Sequence, residues 1–186
     1  NRGITTEATK ALIRFFFEEV GVNRIEARHD TKNPASGRVM AKAGIQGDYG
    51  ANIGRVILKT YGNDIHVRAR AMAAAGSDAR MSGCDLPVII VSGSGNQGMA
   101  ASLPVIEYAK ELNTNEDILF RALVLSNLVT LHLKRGIGRL SAFCGVVCAG
   151  CGSGAGIAYL NKGRYEEISH TIVNAIAIVS GIVCDG

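Results

Sequence analysis

Two groups of residues in this sequence could do chemistry. The first is the glycine-rich run Ser92-Gly-Ser-Gly-Asn-Gln-Gly98. Successive N–H groups of such a loop, with side-chain amides at its tip, suit a carboxylate or a phosphate. The second is Cys144 and Cys184, 40 residues apart and each in a glycine-rich setting, which suits a metal cluster. Together the two groups favour a lyase-type iron–sulfur site.

The remaining cysteines leave other interpretations open. Cys144, Cys148 and Cys151 have the spacing of a radical-SAM cluster motif, but that motif belongs to a large βα barrel for which this chain is too short. The same three thiols would suit zinc if Cys84, Cys184 or a histidine completed the set. We interpret Cys148 and Cys151 as small packing residues and Cys84 as a buried structural thiol, because free cysteine behaves as a small hydrophobe.

Composition limits the class of protein. The chain has 186 residues, 47% hydrophobic and 19% charged, enough for one domain or two small ones. A net charge of +4 with 5% aromatic residues is too weak for a nucleic-acid surface. The longest apolar stretch, 171–184, is shorter than the roughly 20 residues that span a membrane. Five cysteines, an odd number, favour a reducing compartment, so we expect a cytoplasmic protein that binds neither nucleic acid nor membrane.

A mainly helical scaffold is expected to position these groups. Apolar periodicity and capping residues predict the following elements. They are helices near 6–20, 34–43, 99–112, 114–134 and 165–183, two more within 50–82, and a short strand at 23–29. Pro104 is expected in or near a first turn, and Thr114 as a cap. The small residues of 141–160 predict a central helix that its neighbours approach closely. The composition changes near Gly44, which is the predicted domain boundary.

Four further side chains are candidates for a role in the site. His132 and His170 lie on helices that we expect to be buried, where each could be a general acid or base or, more often, a satisfied core histidine. Asp78 and Arg80 are interpreted as an ion pair or as loop anchors. The general base is not identified.

Six runs in residues 47–186 carry a resemblance to a known family. They are Gly47-Asp-Tyr-Gly-Ala-Asn-Ile-Gly54, Ala75-Gly-Ser-Asp-Ala-Arg80, Ser92–Gly98, Pro104-Val-Ile-Glu-Tyr-Ala109, Ile137-Gly-Arg-Leu-Ser-Ala-Phe-Cys-Gly145 and Ile182-Val-Cys-Asp-Gly186. Through them the segment resembles the L-cysteine desulfidase and L-serine dehydratase alpha-chain family, and the desulfidase branch most.

This resemblance implies a lyase that works without pyridoxal phosphate. It would eliminate hydrogen sulfide from L-cysteine or water from L-serine, giving pyruvate and ammonia, with a [4Fe–4S] cluster that leaves one iron open. Cys144 and Cys184 are implied as cluster ligands. The implied binding residues for the carboxylate of the small amino-acid substrate are Ser92, Gly93, Ser94, Gly95, Asn96 and Gln97.

The resemblance also predicts an incomplete domain. The family's third cluster ligand lies beyond Cys184, and a further functional cysteine lies near the family's N-terminus. We therefore expect residues 45–186 to form a domain truncated at its C-terminus, with an incomplete cluster and little turnover. A homo-oligomer is compatible with this interpretation.

Residues 1–44 resemble a different family, the C-terminal part of a GNAT-type N-acetyltransferase. The matching runs are Asn1-Arg-Gly-Ile-Thr-Thr-Glu-Ala8, Asn23-Arg-Ile-Glu-Ala-Arg28 and Asn33-Pro-Ala-Ser-Gly-Arg-Val-Met-Ala-Lys-Ala-Gly44. The resemblance implies a coenzyme A remnant formed by Arg2, Gly3, Asn33 and Ser36. The expected fold class is therefore mainly α: a helical serine-dehydratase-alpha-like domain after a short α-β-α acetyltransferase-like fragment, in a chimaeric chain. The alternatives to a lyase are an acetyltransferase fragment and a non-catalytic helical one.

Overall fold

The computed structural model describes residues 36–138 and 144–180, in which seven helices and no strands occur. The helices are α1 (Ser36–Gln46), α2 (Ile53–Tyr61), α3 (Ile65–Met81), α4 (Gly95–Glu111), α5 (Glu116–Ile137), α6 (Val146–Leu160) and α7 (Tyr165–Ser180). The mainly helical prediction is confirmed for this part of the chain. The helix predicted near 6–20 and the strand at 23–29 lie outside the described residues.

Polar caps begin two of the long helices. The Asp64 carboxylate accepts a hydrogen bond from the Val67 N–H at 3.0 Å at the start of α3, and Asn115 accepts one from the Ile118 N–H at 2.9 Å at the start of α5. Such caps satisfy N–H groups that have no partner within the helix. The predicted cap at Thr114 was one residue early, because the Asn115 side chain takes this role.

Helix α4 starts earlier than predicted. It runs from Gly95, so Pro104 lies inside the helix and not in its first turn. Proline has no N–H to donate within a helix and crowds the preceding turn. The Ser102 hydroxyl donates to the Gly98 carbonyl at 2.7 Å within the same stretch. The prediction failed because it treated the whole run up to Gln97 as a loop.

One half of the core joins α1, α3 and α4. Its fully buried members are Met40, Ala41, Ala79, Met99 and Leu103. Met40 and Ala41 thus pack with the helices that follow them in the chain. The chain divides into two compact units, Asn1–Pro34 and Ala35–Gly186, whereas the boundary predicted from composition, near Gly44, stays a prediction.

The glycine-rich helix α6 packs closely on α5, and it also contacts α4 and α7. A Cβ built at Gly152 would overlap the Ser126 carbonyl and the Thr130 hydroxyl, and one built at Gly156 would lie 2.9 Å from the Ala122 carbonyl. Only glycine lets the two helix backbones approach this closely. Ser126 and Thr130 are buried and satisfied, donating to the Ala101 and Ser126 carbonyls. The predicted central helix is confirmed over 146–160.

Two helices expected to be buried are partly exposed. On α7, Val173, Ile176 and Ile178 are exposed, because among the described residues only α6 packs against this helix. His132 on α5 and His170 on α7 also lie on exposed faces, so neither is a core histidine. Apolar composition alone predicted burial, but it could not show how many neighbours each helix has. Nowhere in 36–138 or 144–180 is a helix long and apolar enough to cross a membrane.

Candidate functional site

A tight turn precedes α4. Val91 and Ser94 exchange two backbone hydrogen bonds, each 3.2 Å long, across the pair Ser92 and Gly93. Both central residues have positive φ, 52° at Ser92 and 82° at Gly93, as a type I′ turn requires. The turn brings the chain directly into the first residue of α4.

The first turn of α4 presents backbone donors. The Ser94 hydroxyl accepts from the Gln97 N–H at 3.5 Å, and the Ser94 carbonyl accepts from the Gly98 N–H at 3.1 Å. The N–H groups of Gly95 and Asn96 have no acceptor among the described residues. Free N–H groups at a helix N-terminus, with the positive end of its dipole, favour an anion.

Two glycines allow an extended segment to lie against this helix start. A Cβ at Gly98 would overlap the Ile89 carbonyl, and one at Gly95 would lie 2.7 Å from both Arg80 Nε and Val88 Cγ1. The glycines of the run therefore serve packing as well as the turn. This constraint fixes α4 against the segment 88–91.

A cation lies beside the same turn. Arg80, at the end of α3, donates from Nη1 to the Asn96 Oδ1 at 3.2 Å. Asp78, two residues earlier, accepts instead from the Ile53 N–H at 3.0 Å and so begins α2. Both residues are loop anchors, as predicted, and no ion pair joins them in the described part of the chain. The sequence indicated Arg80 only as an ion-pair partner or loop anchor and did not predict its contact with Asn96; the signal for it was the run Ala75–Arg80.

The turn and the predicted metal ligand come together through Gln97. A Cβ built at Gly145 would lie 2.5 Å from each of Cδ, Nε2 and Oε1 of Gln97. Gly145 is buried, directly follows the exposed Cys144 and precedes the first residue of α6. The start of α4 is therefore packed against the start of α6. Ser141 to Phe143, just before Cys144, lie outside the described residues.

The described cysteines differ in exposure. Cys144 is exposed, whereas Cys148 and Cys151 are buried within α6. Burial raises the pKa of both buried thiols, which disfavours the thiolate that a metal needs. Their predicted role as packing residues agrees with this burial. Cys84 is half-buried, and a hydrogen bond with its thiol raises the pKa of Tyr49.

The donor set fits an iron–sulfur cluster only in part. Cys144 is an exposed thiol at a turn and suits one ligand, but within the described residues no three His, Cys, Asp or Glu side chains converge on one point. Cys184, the other predicted ligand, lies outside those residues. Arg2, Gly3 and Asn33 also lie outside them, and Ser36 is the first residue of α1. The assignments of all these residues stay predictions.

The His66 ring contacts Tyr108. Its Nδ1 lies 2.6 Å from the Tyr108 hydroxyl, and the two rings meet edge to face. The pair joins the start of α3 to the end of α4. Nearby, the Arg68 guanidinium donates to the buried Glu107 at 3.2 Å and to Glu111 at 2.6 Å. These contacts tie the two helices together and leave the general base unassigned.

The described part of the chain is thus all helical, with a tight glycine-rich turn at the start of α4 that packs through Gln97 beside an exposed cysteine. The chain belongs to the serine dehydratase alpha chain family, whose sequence model matches residues 8–186. A UPF0597 protein of Desulfitobacterium hafniense strain Y51 is 79% identical over 147 residues, covering 79% of this chain and 34% of the relative. UPF0597 proteins of Lachnoclostridium phytofermentans and Fusobacterium nucleatum are 58% and 50% identical, covering 79% of this chain and 35% and 36% of their own lengths. No solved structure matches the chain.

These matches bear on the two resemblances differently. The chain spans about a third of the length of these curated relatives. The family model begins at residue 8 and so covers most of the segment compared with acetyltransferases. None of the comparisons supports an acetyltransferase segment, and that resemblance stays a prediction.

Proposed function

We propose that this chain supplies part of the active site of an iron–sulfur-dependent lyase that eliminates sulfide from L-cysteine or water from L-serine. The packing of Gln97 against Gly145 carries the proposal, because it brings the anion-binding turn beside Cys144. A three-carbon amino acid held by its carboxylate extends only a few ångströms, so its β-carbon would stay near that thiol. Membership of the serine dehydratase alpha chain family supports the reaction class.

The substrate carboxylate would bind at the turn Ser92–Gln97. The N–H groups of Gly95 and Asn96 are its donors, and the Asn96 side chain is oriented by Arg80. The guanidinium adds a positive charge within the same region, which favours an anionic ligand over a neutral one. The Ser92 and Gly93 backbone, with positive φ at both residues, shapes the concave side of the turn.

The cluster would be held by Cys144 together with Cys184. When bound, an iron that lacks a protein thiolate supplies a Lewis acid for the leaving sulfur or oxygen. The chain's own contribution is to orient the substrate by its carboxylate and to present the Cys144 thiolate next to it. Cys148 and Cys151 are assigned packing roles instead, because burial raises the pKa of both thiols and so disfavours their thiolates.

The whole reaction is tested in a protein in which this chain is grafted between the flanking regions of the Desulfitobacterium hafniense relative. After anaerobic reconstitution we expect iron and acid-labile sulfide, and pyruvate release from L-cysteine or L-serine. Cys144→Ala should remove both the cluster and the activity. Cys151→Ala, which deletes a thiol from the same helix, is the matched control and should keep both. An active, iron-containing Cys144→Ala protein would contradict the proposal.

The acetyltransferase alternative has a separate test. If Arg2, Gly3, Asn33 and Ser36 formed a coenzyme A remnant, the chain would bind acetyl-CoA, and calorimetry would detect it. Binding of acetyl-CoA would favour this alternative over a lyase domain.

A further inference from the structure

The side chain of Gln97 makes an unusual contact for a polar group. Its three amide atoms are equally distant, at 2.5 Å, from the position that a Cβ of Gly145 would occupy. A point equidistant from these atoms lies above the amide plane, so the plane faces the Gly145 backbone. Any residue with a Cβ would place that atom 2.5 Å from the amide, so only glycine lets the amide lie here.

The amide oxygen of Gln97 is fully buried and has no hydrogen-bond partner among the residues that the structure describes. A buried acceptor without a donor costs free energy, so such a group calls for an explanation. Oε1 is the covered atom of this amide, and the face of the amide meets Gly145. The contact with Gly145 is therefore one of shape and van der Waals packing.

Both sides of this contact are otherwise fixed. On the α4 side, Gly98 lies against the Ile89 carbonyl and Ser94 caps the helix. On the α6 side, Gly145 has ordinary helical angles, φ −65° and ψ −8°, and no side chain caps the helix there. The Cys144 carbonyl accepts from the Val147 N–H at 3.3 Å. Gln97 is thus a side chain that joins the start of α4 to the turn bearing Cys144.

We propose that Gln97 is a positioning residue, whose side-chain amide holds the Cys144 turn in place by packing on Gly145. The consequence for the cluster rests on the proposed function, since that function makes Cys144 a ligand. The packing role does not rest on the proposed function, since it can be measured on this chain alone.

The local test is hydrogen exchange of the peptide covering 144–150 in the full chain, read by mass spectrometry. Gln97→Ala should speed exchange there about tenfold, the change expected when roughly 1.4 kcal/mol of local stability is lost. Gln97→Met keeps an unbranched side chain of similar length and should restore slow exchange. The matched control is Asn96→Ala, which removes the neighbouring amide that accepts from Arg80. It should leave the exchange rate of the 144–150 peptide unchanged.

The partner residue gives an independent test. Gly145→Ala needs no unusual backbone angle, and its Cβ would displace the flexible Gln97 amide. It should therefore speed exchange by the same factor as Gln97→Ala, and the double variant should show no further increase, as expected for two residues that share one contact. Additive effects, or unchanged exchange in Gln97→Ala, would overturn the inference.

Iron content separates this inference from the proposed function. In the grafted, reconstituted protein, Gln97→Ala should lower the iron retained per chain several-fold, and Gln97→Met should restore it. An unaltered protein that binds no iron would contradict the proposed function but leave the exchange result standing. Full iron retention in Gln97→Ala would show that the packing does not position a ligand, and would overturn the positioning role.

Discussion

At the scale of single residues, the three thiols of 144–151 are distinguished by exposure. Cys144 is exposed to solvent, whereas the side chains of Cys148 and Cys151 are buried. The sequence spacing treats all three alike and suggested motifs that use them together. Burial and the raised pKa values of the inner pair separate one exposed thiol from two packing residues.

Alkylation should reveal this difference directly. With iodoacetamide at about pH 8, Cys144 should react at least about tenfold faster than Cys148 or Cys151, because the thiolate is the nucleophile and both inner thiols are covered and held neutral. Peptide mapping over time measures the three rates in one sample. Similar rates for all three cysteines would show that α6 does not bury them as described.

At the scale of helices, close approach between α5 and α6 depends on glycine. Gly152→Ala should destabilise the domain by about 1–3 kcal/mol, since its Cβ would overlap the Ser126 and Thr130 oxygens. Gly150 lies on the same helix, is exposed and has no atom within 4 Å of a built Cβ. Gly150→Ala should instead stabilise by about 0.5–1 kcal/mol. Urea unfolding would compare the free energies of unfolding of the two variants. Equal changes in both would contradict the close packing of α5 on α6.

The start of α5 tests the corrected cap. Asn115→Ala should cost about 1 kcal/mol because it removes the acceptor for the Ile118 N–H. Thr114→Ala, one residue earlier, should cost much less. If thermal or urea unfolding showed a larger loss of stability for Thr114→Ala than for Asn115→Ala, Thr114 would be the cap, as the sequence predicted.

The cap of α3 has a pH signature. A hydrogen bond from the Val67 N–H lowers the pKa of Asp64 below its usual value. A lowered folded-state pKa stabilises the fold above the unfolded pKa, and this contribution is lost as the pH falls through the folded value. The melting temperature of Asp64→Ala should therefore be lower than that of the unaltered chain at pH 7. The gap should narrow below about pH 4, and a gap that does not change with pH would contradict the cap.

At the scale of the whole molecule, periodicity predicted most helices between 36 and 180. It misjudged the start of α4, because one glycine-rich run contains both a turn and the first residues of the helix. It also overestimated burial of α7, since apolar composition carries no information on neighbouring helices. For the site, the sequence and its family resemblance already assigned the turn and Cys144 to one site. Their contact through Gln97 and Gly145 joins residues far apart in the chain, which no local pattern encodes.

The most direct measurement of the central claim, that this turn and Cys144 share one amino-acid site, is ligand protection. L-Serine should slow alkylation of Cys144 in the full chain several-fold at saturation, since its carboxylate would sit on the turn and its side chain near the thiol. L-Serinamide, which lacks the carboxylate, should not protect. The predicted result is that L-serine protects Cys144 and L-serinamide does not. The same alkylation rate with L-serine, with L-serinamide and without any ligand would contradict a shared site.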